Sequence, residues 1–414
     1  MKLTPAIQNE IHAQSESEAH AQSLNLTQIF KKMKPFPEKI VRPHLLVSLD
    51  LGKCGWHVVL MSGQKTTART LSGGGKPAAL LALIHSKMHA FGLSETRDVV
   101  ACHEIGRDGW WISEWLEAHG IACVVMSADV LCDGRRHVKT DHVDARLLAV
   151  RLGRFFDGWL ESDHVVLRPP AEILEGRALS RRRSDAVNLR LTFGNKFKSI
   201  LALHMEDKGV DIRTVDVESL RDELGRPLPA EERAMLADQQ KLYREADGIV
   251  KACDLLMKRH IDQVRRKAKE ATPLSRRETM LLQLTRIKSL GFRTAWLLVH
   301  ELFWKQFANV RGVGSAAGLV AVPFSSGQAD KCTGISRRSN GRLRAALVEL
   351  AWLWLRHQPG SALTHWFRER TDAGISTRRM KKVAIVAVAR KLVVALWKFL
   401  ERGVAIEGVL LKTA

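Results

Sequence analysis

The pattern of apolar and polar positions first predicts an α/β domain over residues 43–160. Short apolar runs bounded by turns, such as HLLVSLDLG and DVVACHE, alternate with stretches of helical spacing such as GWWISEWLEAHG. Short runs of this kind are typical of strands, and apolar residues three and four positions apart are typical of helices. The order is three strands, then helix, strand, helix, strand and helix. It predicts a mixed sheet that opens in a meander and has helices on its faces, the plan of the ribonuclease-H-like fold.

The pattern then becomes polar, basic and helical over residues 161–280, with a break at DELGRPLPAEE. From residue 236 a heptad spacing is visible, and two residues interrupt it, Gln239 and His260. Its members are Leu236, Tyr243, Val250, Met257 and Val264 at one position, and Ala246 and Cys253 at the other. A seam of about four heptads predicts a coiled-coil or helical-hairpin arm. An ordinary amphipathic helix would leave the same pattern.

The remaining residues, 281–414, are predicted to be mainly helical, with glycine-rich connections and no internal repeat. Residues 1–42 form a polar N-terminal extension without the apolar core of a signal peptide. The longest late apolar run, VAIVAVARKLVVALW, contains Arg390 and Lys391, so it predicts a buried helix and no membrane span. We therefore expect a cytoplasmic protein, associated with the nucleoid, that has no membrane partner.

The charge balance indicates the kind of partner that the protein binds. The 414 residues contain 65 Lys and Arg against 44 Asp and Glu, which gives a net charge of +21. The last third of the chain carries most of the excess. A balance this basic indicates a polyanion, most often nucleic acid. The 6 cysteines show no CxxC or zinc spacing and are predicted to be reduced.

Acidic residues stand out against this basic background at three places. Asp50 interrupts the apolar run LLVSLDLG, Glu104 closes DVVACHE, and Asp141 and Asp144 open the last predicted helix of the domain. Positions three apart share a helix face, and Mg²⁺ prefers carboxylate oxygens that converge from separate elements. Each acid also has an ordinary interpretation as a turn residue, a strand end, or a helix start capped by Thr140. Their order along the predicted elements favours a metal site.

A serine-containing segment lies in the basic last third, GLVAVPFSSGQADKCTGISRRSNGRLRAALVELAW. Two serines precede a glycine, and a dense run of arginines follows. A serine hydroxyl is a weak nucleophile, which needs activation and a group that holds the phosphate. By itself, SSG is the sequence of an ordinary loop.

Taken in order, DVVACHEIG, KTDHVDARLLA, LGFRTAWLLVHEL and GLVAVPFSSG…GISRRSNGRLRAAL resemble the DEDD transposases of insertion sequences, the IS-one-ten family. The resemblance runs from about residue 44 to residue 402. It implies a RuvC-like domain, a coiled-coil arm and a C-terminal transposase domain with a nucleophilic serine. It also implies transposition of DNA by a homo-oligomer, a dimer or tetramer joined through the arm, with a bridge RNA that pairs with target and element DNA.

The resemblance also assigns residues by position. Asp50 matches the first acid, Glu104 the second, and Asp141 with Asp144 the last pair, which together would hold two Mg²⁺ ions. Ser326 matches the nucleophile directly before glycine, and Ser325 is only its neighbour. Two departures concern loops: Ala321 replaces the usual proline, and KSLG stands in place of PGIG. Asp50 and Ser326 lie in separate predicted domains, so the site would be assembled between domains or subunits.

Two groups of basic residues are predicted to contact the nucleic-acid backbone. They are Arg181, Arg182 and Arg183 in the middle, and Arg337, Arg338, Arg342, Arg344, Arg378, Arg379, Lys381 and Lys382 near the end. Two rival functions remain, a RuvC-like nuclease of the junction-resolvase type that cuts with water, and a non-catalytic nucleic-acid-binding protein. A tyrosine recombinase is disfavoured, because the single tyrosine, Tyr243, is at an apolar heptad position.

Overall fold

The fold is described from a computed structural model. Within it, residues 141–142, 322–326 and 329–333 are described by their backbone alone. The described residues are 45–93, 98–106, 109–127, 141–157, 165–206, 209–307, 309–326, 329–335, 340–371 and 377–412. The predicted N-terminal extension, residues 1–42, lies outside them. The chain divides into two compact units, with the boundary between Arg168 and Pro169.

The first unit is built on a five-stranded sheet. Its elements in chain order are β1 (Leu45–Leu51), β2 (Gly55–Ser62), β3 (Lys65–Ser72), α1 (Lys76–Ala90), β4 (Val99–Glu104), α2 (Trp111–Ala118), β5 (Ala122–Met126) and α3 (Asp141–Phe156). The strand order is β3-β2-β1-β4-β5. β1, β2 and β3 form the antiparallel meander, and β4 and β5 continue the sheet from β1 in parallel. The predicted mixed sheet is therefore confirmed.

Helices cover both faces of this sheet, because successive strand residues point to opposite sides. Leu45, Val47 and Leu49 of β1 pack in the core that also contains residues of α1 and α2. Leu46, with apolar residues of β4, packs instead against Leu148 and other residues of α3. The α3 face is the one that carries the acidic positions of β1 and β4.

The second unit begins with two long helices. These are α4 (Ala171–Leu201) and α5 (Ala230–Lys269), joined by a segment that contains a short 3₁₀ turn, Val217–Ser219. Two ion pairs cross between the helices, Arg183 to Asp254 and Arg190 to Asp247. Moving seven residues forward on α4 corresponds to moving seven backward on α5, so the helices are antiparallel. The predicted helical hairpin is therefore present within one chain, and a coiled coil between copies stays a prediction.

The rest of the second unit is mainly helical, as predicted. It comprises α6 (Arg276–Arg286), α7 (Phe292–Leu298), a π-helix (Val299–Phe303), α8 (Val310–Ala316), β6 (Ala321–Ser326), β7 (Ala329–Ile335), α9 (Gly341–His357), α10 (Ala362–Thr371) and α11 (Arg378–Arg402). One core contains buried residues from α6 to α11, among them Trp354 and Leu392. None of the described helices is both long and apolar enough to cross a bilayer.

The serine segment differs from its predicted loop, because it forms an antiparallel hairpin of β6 and β7. Pro323 lies inside β6, a residue that normally demotes a strand. A strand with a single partner tolerates proline where the missing N–H would face outward. The pairing is irregular between Ala321 and Val322. The predicted division into an arm (161–280) and a C-terminal domain (281–414) stays a prediction.

Candidate active site

Two of the predicted acids lie side by side at the end of neighbouring strands. Asp50 is the penultimate residue of β1, and Glu104 is the last residue of β4. The strands are parallel, and Leu49 pairs with His103, so the next residues along both strands are Asp50 and Glu104. Neighbouring strands are about 4.8 Å apart. The sheet therefore brings these two carboxyl groups to one place, and both residues are half-buried.

Both acids point to the face that α3 covers. Ser48, two residues before Asp50, donates a hydrogen bond from Oγ to the Ala145 carbonyl at 2.6 Å. Cys102, two residues before Glu104, has its Sγ 3.8 Å from the Leu148 carbonyl. Because residues two apart on a strand share a face, Asp50 and Glu104 lie on the α3 side of the sheet.

The third acid comes from α3 itself. Asp144 directly precedes Ala145, the residue whose carbonyl accepts the hydrogen bond from Ser48. The exposed fraction of Asp144 is 3%. A carboxyl group this buried requires partners, because an isolated buried charge is strongly unfavourable. Asp141 begins the same helix three residues earlier. Its side chain lies outside the described residues, as does Thr140, its predicted cap.

The chemistry of these residues fits Mg²⁺, a hard cation that takes oxygen ligands. Two strand ends and one helix start supply carboxylates from separate elements on one face. Among the side chains that the structure describes, no three His, Cys, Asp or Glu groups are gathered closely enough to hold a metal ion. These side chains include Asp50, Glu104 and Asp144, whereas the side chain of Asp141 lies outside the described residues. The metal site therefore stays a prediction.

The nearby thiols do not contribute a second chemistry. Burial raises the pKa of the Cys102 thiol far above its usual value. The same cause, followed by the neighbouring Cys102, raises the pKa of Cys123. Neutral buried thiols are poor nucleophiles and poor metal ligands. Cys54, Cys102, Cys123 and Cys253 are free, in agreement with the predicted reduced state of these four cysteines.

In the second unit, the predicted nucleophile lies at the tip of the hairpin. Ser326 is the last residue of β6 and pairs with Ala329, the first residue of β7. Its side chain is outside the described residues, so only its backbone position is known.

A buried glutamate connects three parts of the second unit. Glu301, in the π-helix, has an exposed fraction of 7%. It pairs with Arg177 at 3.5 Å and Arg181 at 3.2 Å, both from α4. Its Oε2 also accepts a hydrogen bond from Asn340 Nδ2 at 3.1 Å. Asn340 is the N-cap of α9, so Glu301 helps to fix the helix that follows the serine hairpin.

The neighbouring histidine is fully buried and held from both sides. His300 Nδ1 lies 2.7 Å from the Trp296 carbonyl, and Arg277 Nη1 lies 3.4 Å from its Nε2. A carbonyl only accepts and a guanidinium only donates. The ring is therefore the neutral tautomer with its hydrogen on Nδ1. Burial, with Arg277 also opposing the charge, lowers the pKa of His300 to about 4.

Neither His300 nor Glu301 was predicted from the sequence. The available signal is a histidine and a glutamate inside the apolar run TAWLLVHELF. π-Helical turns are frequent at functional sites, but their presence depends on packing and is not visible in residue types. The two arginines that pair with Glu301, Arg177 and Arg181, lie more than a hundred positions earlier in the chain.

The predicted basic contacts fall into different environments. Arg183 donates to Asp254 at 2.6 Å, and Arg181 pairs with Glu301. Arg342 pairs with Asp185 at 2.6 Å, where both side chains are exposed. Arg182 is exposed, Arg344 is half-buried, and Arg337 and Arg338 lie outside the described residues. Arg183 and Arg181 therefore contribute to the fold as well as to any binding surface.

The four cations at the start of α11 are all exposed. They are Arg378, Arg379, Lys381 and Lys382. The first turn of α11 contains no acid, although the positive end of a helix dipole favours acids and disfavours cations. This arrangement is unfavourable for the isolated helix. It is expected where an anionic partner approaches.

The architecture and these motifs agree with comparisons with known proteins. Residues 282–365 match the model of the Transposase IS116/IS110/IS902 family. The chain is 31% identical over 382 residues to the "Putative transposase y4rJ" of Sinorhizobium fredii, covering 89% of this chain and 95% of that protein. It is also 32% identical over 125 residues to the transposase for insertion sequence element IS1328 of Yersinia enterocolitica, covering 29% of this chain and 36% of that protein. The chain therefore belongs to the IS116/IS110/IS902 family of transposases, the IS-one-ten family that its motifs indicated.

Proposed function

We propose that this protein is a DNA recombinase that moves its insertion sequence by cutting and rejoining DNA through a phosphoserine link. The observation that carries the proposal is the parallel register of β1 and β4. It sets Asp50 beside Glu104 on the face that also receives the buried Asp144. The strand order supports our assignment of the first unit to the ribonuclease-H-like, RuvC-like fold, and membership of the transposase family supports DNA as the substrate.

The chain's own residues have distinct roles in this mechanism. Asp50, Glu104, Asp144 and Asp141 would hold Mg²⁺, and bound Mg²⁺ would supply positive charge beside a phosphate oxygen. Ser326 Oγ attacks the scissile phosphorus, and its proton passes to a basic oxygen of the site. The Oγ–P bond forms, and the P–O bond to the leaving nucleotide breaks. The leaving oxygen takes up a proton.

The phosphoserine bond conserves the energy of the phosphodiester. After strand exchange, a DNA hydroxyl attacks the phosphorus, the Oγ–P bond breaks, and Ser326 is regenerated. No external energy source is required, since each step exchanges one phosphate ester for another. The exposed cations at the start of α11 would hold the DNA backbone during exchange.

We also propose a guide RNA and a homo-oligomer. The net charge of +21 supports more than one polyanionic partner. The heptad residues of α5 named above are buried within the chain, apart from the half-buried Tyr243. Met235, Leu242 and Leu256 are exposed on the same helix at spacings of seven and fourteen residues, and they support contact between arms of two or four copies. Sequencing of small RNA that co-purifies with the protein tests the guide. We expect an RNA with segments complementary to the element ends and to the target.

The nucleophile is tested by trapping a protein–DNA adduct. Protein, co-purified RNA and DNA are incubated with Mg²⁺, and a protease-sensitive shift of labelled DNA is measured. We expect the adduct in the wild type and in Ser325→Ala, the matched neighbour, and its loss in Ser326→Ala. An adduct that persists in Ser326→Ala rejects the assignment. Nicked DNA without any adduct would favour the water-dependent nuclease.

The acids are tested separately from binding. Asp144→Asn removes one negative charge at nearly constant volume. We expect recombination to fall by at least about a hundredfold, while the affinity for DNA stays within about threefold of the wild type. Recombination at the wild-type rate would reject the role of this acid. Metal-independent binding without cleavage by the wild type would favour the non-catalytic alternative.

A further inference from the structure

A small polar cavity lies on the flank of the helical hairpin, apart from every residue discussed above as catalytic. Its volume is about 210 Å³. The residues that line it are Arg213, Tyr243, Arg244, Asp247, Gly248 and Lys251. Pockets for small molecules usually measure about 300–1,000 Å³. The cavity therefore suits a compact polar group such as a phosphate and is too small for most cofactors.

The lining carries an excess of positive charge. Arg213, Arg244 and Lys251 are cations, and Asp247 is the single carboxylate among the lining residues. That carboxylate is already neutralised by Lys251 Nζ at 2.8 Å and by Arg190 Nη1 at 2.7 Å. Hydrogen bonding from Lys251 is the largest cause that lowers the pKa of Asp247, which therefore stays ionised. The remaining positive charge favours an anion.

The lining also offers oriented hydrogen-bond donors. Arg213 and Arg244 bring guanidinium N–H donors to the lining, and the phenol O–H of Tyr243 can also donate to a ligand. The ring of Tyr243 packs on α4, since a Cβ at Gly194 would lie 3.3 Å from it. Arg244 Nε donates to the Arg213 carbonyl at 3.0 Å, which ties the two arginines together.

Gly248 keeps this space open. It lies in the interior of α5, where glycine costs about 1 kcal/mol relative to alanine. A Cβ built at Gly248 meets no atom within 4 Å. Packing therefore does not require glycine here. The absence of a side chain is explained by the open volume in front of the cations.

We propose that this cavity binds a phosphate group of a nucleic-acid backbone and so anchors the helical hairpin to RNA or DNA. The choice of nucleic acid as the ligand rests on the proposed function. The cation geometry alone identifies a phosphate-sized anion. The site is independent of the acids and of Ser326, so it can be tested by binding without catalysis.

The first test compares two side chains of equal size in the cavity. Gly248→Gln and Gly248→Glu are measured as full-length proteins against labelled single-stranded RNA, duplex RNA and duplex DNA, without Mg²⁺. We expect Gly248→Glu to bind about tenfold more weakly than Gly248→Gln, because only the carboxylate repels a phosphate. Neither change should lower the midpoint of thermal unfolding. Equal affinities of the two variants for all three probes would overturn the proposal.

The second test compares matched cations on α5. Lys251→Gln removes a lining charge, and Lys241→Gln removes an exposed charge of the same helix outside the cavity. We expect the slope of log affinity against log salt to fall by about one for Lys251→Gln alone. A loss confined to RNA or to DNA identifies the source of the phosphate. If the wild type recombines DNA while all cavity variants bind like it, this proposal fails and the proposed function stands; a wild type that binds no probe contradicts both.

Discussion

The protonation state of His300 determines whether this residue stabilises the second unit. Its ring is fully buried, donates to a carbonyl and accepts from Arg277. Protonation would add a charge without water and would place a hydrogen against a guanidinium that can only donate. Desolvation therefore lowers the pKa of His300 from 6.5 to about 4. The residue is a structural support of the π-helix in its neutral form.

The stability of the protein should accordingly depend on acid in a defined window. Below pH 6.5 the unfolded chain binds a proton at this residue and the folded chain does not, down to about pH 4. The contribution of His300 to the free energy of unfolding is therefore fully present above pH 6.5. It falls as pH decreases toward 4, by about 3 kcal/mol in total. Urea unfolding across this range measures the effect.

The control variants isolate this histidine. His300→Asn retains a donor near the position of Nδ1 and cannot titrate, so we expect a flatter pH profile even if its stability at neutral pH is lower. His365→Asn changes an exposed histidine of the same unit and should keep the wild-type profile. An unchanged slope in His300→Asn would contradict the assignment.

Asp50 and Asp254 differ in how far their importance can be predicted from the sequence. Asp50 was identified because a charged residue inside an apolar strand is unfavourable without a reason. Asp254 carried no such signal, although α5 buries it and Arg183 and Arg293 both bind it. Burial raises the pKa of Asp254, and the hydrogen bonds from Arg293 and Arg183 outweigh that effect and lower it. Its importance depends on partners that only folding supplies.

At the scale of elements, the close approach of α4 to the π-helix depends on a missing side chain. A Cβ at Gly176 would lie 1.9 Å from the ring of His300. The Gly176 carbonyl also accepts a hydrogen bond from Trp296 Nε1 at 2.9 Å. The ring cannot move aside, since both its nitrogens are bound. The two elements are in contact only because this position is glycine.

Gly176→Ala should therefore separate these elements. We expect a loss of about 3 kcal/mol or more in the free energy of unfolding, as for a side chain forced into a packed core. Gly248→Ala is the matched control, because its Cβ meets open space; alanine there should leave stability equal or raise it by up to about 1 kcal/mol. Denaturant unfolding of both variants provides the measurement. Equal stability of Gly176→Ala and the wild type would show that the helices can move apart freely.

The helical hairpin and the serine hairpin show opposite degrees of predictability. Heptad spacing identified α5 because an amphipathic period is a local property of the sequence. The strands β6 and β7 were missed because glycine, serine and proline are local signals for a loop. The backbone hydrogen bonds of these strands form when the strands pair, and residue types alone do not predict that pairing. The sequence predicted a boundary between residues 160 and 161, and the structure divides after Arg168.

At the scale of the whole molecule, charge is the property that no single element explains. An ion pair within the fold combines one cation with one anion. Such pairs therefore leave the net charge of +21 without a balancing partner inside the chain. Cations near the C-terminal ends of helices, such as Arg356 and Arg368, are favoured by the helix dipole. Arg378 and Arg379, in the first turn of α11, are disfavoured by it. Cations at a helix N-terminus, where the dipole disfavours them, are therefore the ones expected to bind a partner. Cations at a helix C-terminus stabilise the fold.

This distinction predicts a difference in salt dependence. The double variant Arg378→Gln/Arg379→Gln should reduce the slope of log affinity for DNA against log salt by about two, since each lost phosphate contact removes about one. The charge-matched Arg356→Gln/Arg368→Gln should leave the slope unchanged and slightly lower stability. DNA-binding titrations at several salt concentrations test this. A slope that responds equally to both double variants would contradict a specific role for the α11 start.

The sequence by itself determined the mixed sheet, the long helices, the excess of positive charge and the family, because periodicity, composition and ordered motifs are local or additive properties. It also determined which strand and helix positions are acidic. Only the tertiary structure decided that Asp50 and Glu104 lie in adjacent register on the face covered by α3. It alone also decided that Glu301 joins α4 to the start of α9, and that Gly248 opens onto a cationic cavity. These facts depend on contacts between residues far apart in the chain, which arise when strands pair and helices pack.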